Sequence, residues 1–131
     1  MLTVTIPGLR LVSEANAHEH WRKRSARAKH QKHATTRDLW TFALVARYRP
    51  PPHPVPLVVT ITRVGSRLMD SDNAVGAAKH VRDAVAKWLG RDDGPTCGVE
   101  WRVVQRKGAY GVEIRIETAD EARGSRREEV A

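Results

Sequence analysis

Residues 57–64 read LVVTITRV, a run of aliphatic and β-branched side chains that follows a proline-rich connector at residues 50–56. Side chains of this kind fit the pleated, packed surface of a sheet, so the run predicts a strand. Residues 2–6, LTVTI, alternate apolar and polar side chains and end at Pro7-Gly8. That pattern predicts a second strand followed by a turn.

Two further strands are predicted near the end of the chain. Residues 99–106 and residues 111–117 have the composition of strands and are separated by a short stretch around Lys107-Gly108. Their closeness predicts a hairpin. Residues 119–131 are charged, include Gly124 and offer no core residue before Val130, so we expect a disordered tail there.

The remaining segments predict two main helices. Residues from about 23 to 48 contain no proline or glycine, and their first half is mostly basic residues, histidine and alanine. The second half carries apolar side chains at Leu39, Trp40, Phe42, Ala43, Leu44 and Val45. We therefore expect the second half to pack on the core and the first half to present basic groups to solvent or ligand. Residues 73–89 predict a second helix, which Gly90 ends. The pattern indicates one α/β (α+β) domain over residues 1–118, with a small mixed sheet of about four strands packed with two main helices.

Composition narrows the class of protein. The chain has 131 residues, which fits one domain, and a single cysteine, Cys97, which excludes a disulfide framework within the chain. The N-terminus lacks the features of a secretory signal, and the apolar stretches are far shorter than the ~20 residues that cross a bilayer. Gly90, Gly94 and Gly98 indicate turns rather than a phosphate-binding loop. We therefore expect a cytoplasmic protein with no membrane partner and no small-molecule cofactor.

The net charge of +8 is concentrated in one segment. Residues 10–49 hold ten Lys and Arg residues against three acidic ones, a net charge of +7, and four of the six histidines also lie there. A focused positive charge attracts polyanions, of which nucleic acid is the commonest. The alternative is a solvated helix face that keeps the protein soluble.

The second predicted helix carries the clearest chemistry. At about 100° per residue, Asp72, Lys79 and Asp83 fall within roughly 40° of one another. The apolar residues fall on the other side; they are Val75, Ala78, Val81, Val85, Trp88 and Leu89. One face is therefore directed to the core, and the other presents two acids and an amine.

Five aspartates lie within 24 positions of an otherwise basic chain, at Asp70, Asp72, Asp83, Asp92 and Asp93. Clustered carboxylates repel one another unless a cation lies between them, and oxygen-only ligands suit Mg²⁺ or Mn²⁺. The alternative is that Asp72 caps the helix, or that Asp72 or Asp70 favours its N-terminal dipole. Residue types alone leave a metal site and solvated helix ends both open.

Three motifs follow one another here: Asp70-Ser71-Asp72-Asn73, then Lys79-His80-Val81-Arg82-Asp83, and then Trp88-Leu89-Gly90-Arg91-Asp92-Asp93. An Asp-x-Asp-Asn turn, a Lys-x-x-x-Asp helix segment and a later Asp-Asp pair after an aromatic residue, in this order, resemble the RusA family of Holliday junction resolvases. Asn16 and the stretch Trp21-Arg22-Lys23-Arg24 resemble that family's opening. The resemblance spans about residues 2–117, and its specificity lies in 70–93.

The resemblance implies a dimeric, Mg²⁺-dependent DNA endonuclease (Mn²⁺ being the alternative metal) that resolves four-way junctions or related branched DNA in recombination and repair. Asp70, Asp72 and Asp93 match the family's metal-binding carboxylates. Lys79 corresponds to its active-site lysine, although the family's spacing would place that lysine one helical turn earlier, at Gly76.

Further roles follow from this assignment. Asp83 and Asn73 are expected to orient the reacting groups, Asp83 by pairing with Lys79. Asp92 has three open interpretations: a metal ligand, a group that orients a ligand, or a surface charge. The cations expected to contact phosphates are Arg22, Lys23, Arg24, Arg27, Lys29 and Lys32. Trp21 either stacks on a base or packs in the core.

Two functions remain open. In the first, the aspartates hold Mg²⁺, the metal activates a water for in-line attack on phosphorus, and Lys79 stabilises the charge that develops on the phosphate. In the second, the protein is a non-catalytic or degenerate module that binds nucleic acid through its basic segment.

Overall fold

The computed structural model describes residues 1–13, 20–91 and 98–130, the last six of these by their backbone alone. Its strands are β1 (Leu2–Pro7), β2 (Leu57–Gly65), β3 (Val99–Lys107) and β4 (Gly111–Thr118). Its helices are α1 (Trp21–Ala46), α2 (Ser71–Ala77), α3 (Lys79–Leu89) and α4 (Ala119–Val130). The strands form one mixed sheet in the order β1-β4-β2-β3. The predicted α/β class, with about four strands in a mixed sheet, is confirmed.

The central position of β2 explains why the predicted hairpin is wrong. β2 pairs in parallel with β3 on one side and antiparallel with β4 on the other, so β3 and β4 are not neighbours. Val58 and Val59 point to opposite faces of the sheet, and both are buried. A strand that is apolar on both faces is stabilised at the centre of a sheet, where both of its edges are paired as well. The chain between β3 and β4 passes over the end of β2, where Gly108 N–H donates to the Gly65 carbonyl at 3.0 Å.

One face of the sheet forms the core. Leu57, Val59 and Ile61 of β2 are fully buried, and Ile61 lies opposite Ile114 of β4. The helix α1 covers this face with a stripe of four buried residues spaced one turn apart: Gln31, Thr35, Leu39 and Ala43. This stripe places the middle of α1, rather than its second half as a whole, against the core.

The rest of the second half of α1 departs from the expected packing. Trp40 is 64% exposed and Leu44 is 80% exposed, and Val45 is equally open. Residues share one helix face at spacings of i, i+3, i+4 and i+7, so an apolar run of consecutive residues cannot all reach the sheet. The expectation that these side chains enter the core is therefore wrong, and α1 carries an exposed apolar surface near its end.

The predicted helix over 73–89 is two helices that meet at Ala78. Ala78 has φ −85° and ψ −1°, and its N–H still donates to the carbonyls of Ala74 and Val75. Ala78 therefore keeps its own hydrogen bonds at the junction, where its carbonyl also accepts from Arg82 N–H at 2.9 Å. Because of this break, a single helical wheel does not relate Asp72 to residues beyond Ala78. The end of α3 at Gly90, which takes a left-handed φ of 69°, is as predicted.

Residues 119–130 form α4, so the prediction of a disordered tail is wrong. The helix begins with reciprocal bonds: Glu121 N–H donates to Thr118 Oγ1 at 3.1 Å, and Thr118 N–H donates to Glu121 Oε1 at 2.9 Å. This is the capping-box arrangement. The N-terminal amine of Met1 also donates to Glu121 Oε2 at 3.0 Å, and Ala122 is buried. These contacts hold the start of α4 against the sheet.

We expect Thr118→Ala to lower the free energy of unfolding by about 1 kcal/mol, because it removes one capping bond. Urea denaturation measures this loss of stability.

The bonds from the Thr118 backbone N–H and the Met1 amine lower the pKa of Glu121. The carboxylate's contribution is therefore fully present above the ordinary glutamate pKa of about 4.3. It is lost as the pH falls through the lower folded pKa, and Glu121→Gln should remove this part of the acid dependence. Glu100→Gln, at an exposed glutamate of β3, is the control; an equal effect there would contradict the assignment.

Candidate functional site

Asp70 and Asp72 lie together at the entrance to α2. Asp70 is the residue that precedes the helix and Asp72 lies in its first turn, and both are exposed. The Asp70 carbonyl accepts the first helical bond, from Ala74 N–H at 2.9 Å, but the Asp70 carboxylate makes no capping bond. The interpretation of Asp72 as the helix cap is therefore wrong: Asp70 holds the cap position, and its carboxylate does not cap the helix.

Gln105 of β3 fixes the backbone directly before these aspartates. Its Oε1 accepts from Met69 N–H at 2.9 Å, and its Nε2 donates to the Met69 carbonyl at 2.7 Å. Both backbone groups of one residue are thus held by one side chain from a neighbouring strand. The position at which the chain enters Asp70 is consequently tied to the sheet.

Arg63 of β2 extends this attachment. It lies opposite Gln105 in the sheet register and is only 7% exposed. Its Nη1 donates to the Arg67 carbonyl at 2.8 Å and approaches Gln105 Oε1 at 3.4 Å, and its Nε donates to the Leu11 carbonyl at 3.2 Å. One buried guanidinium therefore joins the strand, the loop that leads to Asp70 and the segment after β1.

Gly65 leaves the space that this guanidinium fills. A Cβ added at Gly65 would lie 3.0 Å from Arg63 Nη2. We call Arg63, Gln105 and the backbone they hold at Leu11, Arg67 and Met69 the loop clamp. Sequence reasoning missed it, although one signal was present: Arg63 is a charged residue at the inward position of an otherwise apolar strand.

The other predicted residues lie further along. Asn73 is half-buried in α2, and Lys79 is exposed as the first residue of α3. In the described chain no ion pair joins Lys79 to Asp83. Instead, Asp83 lines a groove of about 360 Å³ between α1 and α3, together with Lys32, His33, Thr36 and Lys87. Asp83 therefore faces the basic helix, not the amine it was predicted to orient.

Asp92 and Asp93 lie outside the described residues. The residue before them, Arg91, is buried and donates to the Pro51 carbonyl at 3.0 Å and to the Gly98 carbonyl at 3.5 Å. Among residues 1–13, 20–91 and 98–124, no group of three His, Cys, Asp or Glu side chains could hold a metal ion. Asp70 and Asp72 are two of the three predicted ligands, and as exposed oxygen donors they fit Mg²⁺ or Mn²⁺ by chemical type.

The predicted phosphate-binding residues lie along the first half of α1. All are exposed except Arg27, which is half-buried; the exposed ones are Arg22, Lys23, Arg24, Lys29 and Lys32. Trp21 is 66% exposed, with the Arg22 guanidinium 5.4 Å from its ring, so its alternative placement in the core is wrong. His20 caps the start of the helix, and its Nδ1 accepts from Arg22 N–H at 3.2 Å.

No protein-family model, curated protein or solved structure matches the chain. In the part of the chain that the structure describes, no helix is both long and apolar enough to span a membrane.

Proposed function

We propose that the protein is a Mg²⁺-dependent endonuclease that hydrolyses phosphodiester bonds in four-way junctions or related branched DNA. The observation that carries the proposal is the pair of exposed carboxylates, Asp70 and Asp72, on a backbone held by the loop clamp. A solvated helix end needs no buried arginine and glutamine behind it, whereas a metal site needs its ligands held in fixed positions. The motif resemblance of residues 70–93 to the RusA family supports the same conclusion.

The residues divide the work in this proposal. Asp70 and Asp72, with Asp93 from beyond the described residues, would hold Mg²⁺, which when bound supplies an activated water and neutralises charge on the phosphate. Lys79, the first residue of α3, offers a positive charge on the helix that follows the one with the carboxylates. The exposed cations of α1 bind DNA phosphates, which the carboxylates would otherwise repel.

A homodimer and a cytoplasmic location belong to the same proposal. A junction with near two-fold symmetry is resolved by two matched cuts, which two copies of one chain can supply. The single thiol, Cys97, needs no oxidising compartment.

A binding module without catalysis is the second candidate, and one observation favours it. The position four residues after Asp72 is Gly76, and Lys79 lies beyond the break at Ala78, in a different helix. The amine therefore does not share one continuous helix with the carboxylates. This candidate function predicts that the protein binds DNA and does not cleave it when Mg²⁺ is added.

Incubation with a labelled four-way junction separates the two functions. We expect Mg²⁺ or Mn²⁺ to give paired cuts in the junction, little cleavage of a linear duplex of the same sequence, and none in EDTA. Denaturing gels measure the products, and sedimentation of the complex measures the stoichiometry. Junction binding without cleavage in either metal would refute the nuclease, and one copy per junction would refute the dimer.

A further inference from the structure

An aromatic groove of about 480 Å³ lies between the ends of α1 and α3. Its apolar wall comes from Trp40, Leu44, Tyr48 and Trp88, and Arg47 and Arg49 stand at its rim. The Trp40 ring meets the Trp88 ring edge-on, with centroids 6.1 Å apart, and the Tyr48 ring stacks on Trp88 at 6.5 Å. The groove is thus walled by three aromatic rings, of which Trp40 and Tyr48 each contact Trp88.

The rings of this groove are not all needed for the core. Tyr48 and Trp88 are half-buried and pack against core residues, but Trp40 keeps 64% of its surface open. Contiguous exposed apolar surface of this kind is typical of an interaction site. Trp40 and Leu44 therefore offer a surface to a partner.

The charge at the rim selects the partner. Among the described residues no acidic side chain lines the aromatic groove, and neither Arg47 nor Arg49 forms an ion pair with any of them. A second copy of the chain docked on this face by two-fold symmetry would bring the same arginines together. The complementary partner is therefore anionic and carries apolar groups.

The aromatic groove lies next to the groove that holds Lys32, His33 and Lys87. Thr36 and Trp40 are one turn apart on α1, and Lys87 and Trp88 are consecutive on α3. From His33 to Arg47 the helix rises ~21 Å, at ~1.5 Å per residue. That length matches roughly six stacked nucleotides at ~3.4 Å each. Along the two grooves, the first end carries Lys32 and Lys87 with Asp83 between α1 and α3, the middle carries the aromatic rings, and the far end carries Arg47 and Arg49.

We propose that this α1–α3 groove binds single-stranded nucleic acid. Bases stack on Trp40, the exposed ring, and phosphates contact Lys32 and Lys87 at one end and Arg47 and Arg49 at the other. Aromatic rings within a positive groove bind single strands without reading their sequence, because every base has a π face. The site needs neither metal nor cleavage, so it goes beyond the proposed nuclease activity.

Fluorescence anisotropy with labelled (dT)₁₂ in EDTA tests the site. We expect Trp40→Leu, which keeps apolar bulk without the ring, to weaken binding by about tenfold or more. We expect Arg47→Gln with Arg49→Gln to weaken it and to flatten its salt dependence. Arg123→Gln, on the exposed surface of α4, is the charge control and should change the affinity little. Because Trp40 is exposed, a melting curve should show both groove variants folded.

Three results would overturn the proposal. The first is folded groove variants that bind (dT)₁₂ as well as the parent protein. The second is a parent protein that binds poly-glutamate but not (dT)₁₂, which would identify an acidic protein as the partner. The third is Trp40→Leu converting a dimer to a monomer at unchanged (dT)₁₂ affinity, which would identify a second copy. If the parent protein binds (dT)₁₂ but cuts no junction, the result supports this binding site and refutes the proposed nuclease function.

Discussion

Asp72→Asn is expected to reduce Mg²⁺-dependent cleavage of a four-way junction by at least ~10²–10³-fold, the cost of removing one group that stabilises charge in a reaction of this kind. Asparagine keeps the size and shape of the side chain but loses the negative charge that attracts Mg²⁺. Asp72 is exposed in the first turn of α2, so the substitution opens no cavity. Single-turnover cleavage measures the loss, and anisotropy in EDTA should give an unchanged junction affinity.

The chain offers a matched control for this substitution. Asp120 is the second residue of α4, as Asp72 is the second residue of α2, and it is likewise exposed. Asp120→Asn removes the same charge from the same place on a helix, at the cost of a surface ion pair with Arg123 that contributes little. Cleavage by Asp120→Asn should equal that of the parent protein. An Asp72→Asn variant as active as Asp120→Asn would contradict the metal-ligand assignment.

Local sequence patterns predicted where the strands of this fold lie better than they predicted which strands pair in the sheet. The alternation at residues 2–6 and the β-branched run at 57–64 correspond to β1 and β2, with nearly the same bounds. Which strands pair with β2 depends on the burial of both its faces and on which later strand pairs with each of its edges. A short stretch of sequence does not contain that information. The hairpin error arose there.

One error was avoidable from the sequence. Thr118-Ala119-Asp120-Glu121 has the Ser/Thr-x-x-Glu spacing of a capping box, which predicts a helix start where we expected a disordered tail. The charged composition of residues 119–131 concealed that signal. A start motif of four residues was in this case more informative than the composition of thirteen.

The candidate site shows the same division. Asp70 and Asp72 could be selected from their motif, since the spacing places both at one turn. The loop clamp could not, because Gln105 and Met69 are 36 residues apart and meet only through the parallel register of β2 and β3. Asp83 was assigned to Lys79 by helical spacing, but the contact between α1 and α3 places it beside Lys32 instead.

Arg63→Met is expected to raise the Mg²⁺ concentration needed for half-maximal cleavage by about 10–100-fold, the usual effect of removing a group that supports metal ligands from behind. Methionine fills similar space but leaves the carbonyls of Leu11 and Arg67 without their donor. The free energy of unfolding should fall by about 1–3 kcal/mol for buried acceptors left unsatisfied. A Mg²⁺ titration of the cleavage rate, with urea denaturation alongside, measures both.

The Mg²⁺ requirement distinguishes a positioning role from a merely structural one. If Arg63 only stabilises the sheet, the folded fraction of Arg63→Met should cleave with the parent's Mg²⁺ dependence, and that result would contradict the loop clamp's role. Gln105 is half-buried, and Gln105→Ala removes both of its bonds to the Met69 backbone. This variant should raise the Mg²⁺ concentration needed for cleavage, with a smaller loss of stability than Arg63→Met. Arg102→Met is the control, since Arg102 lies on the opposite face of the sheet and pairs with Glu100. It should leave the Mg²⁺ titration unchanged, because its ion pair is with Glu100 and not with the backbone that leads to Asp70.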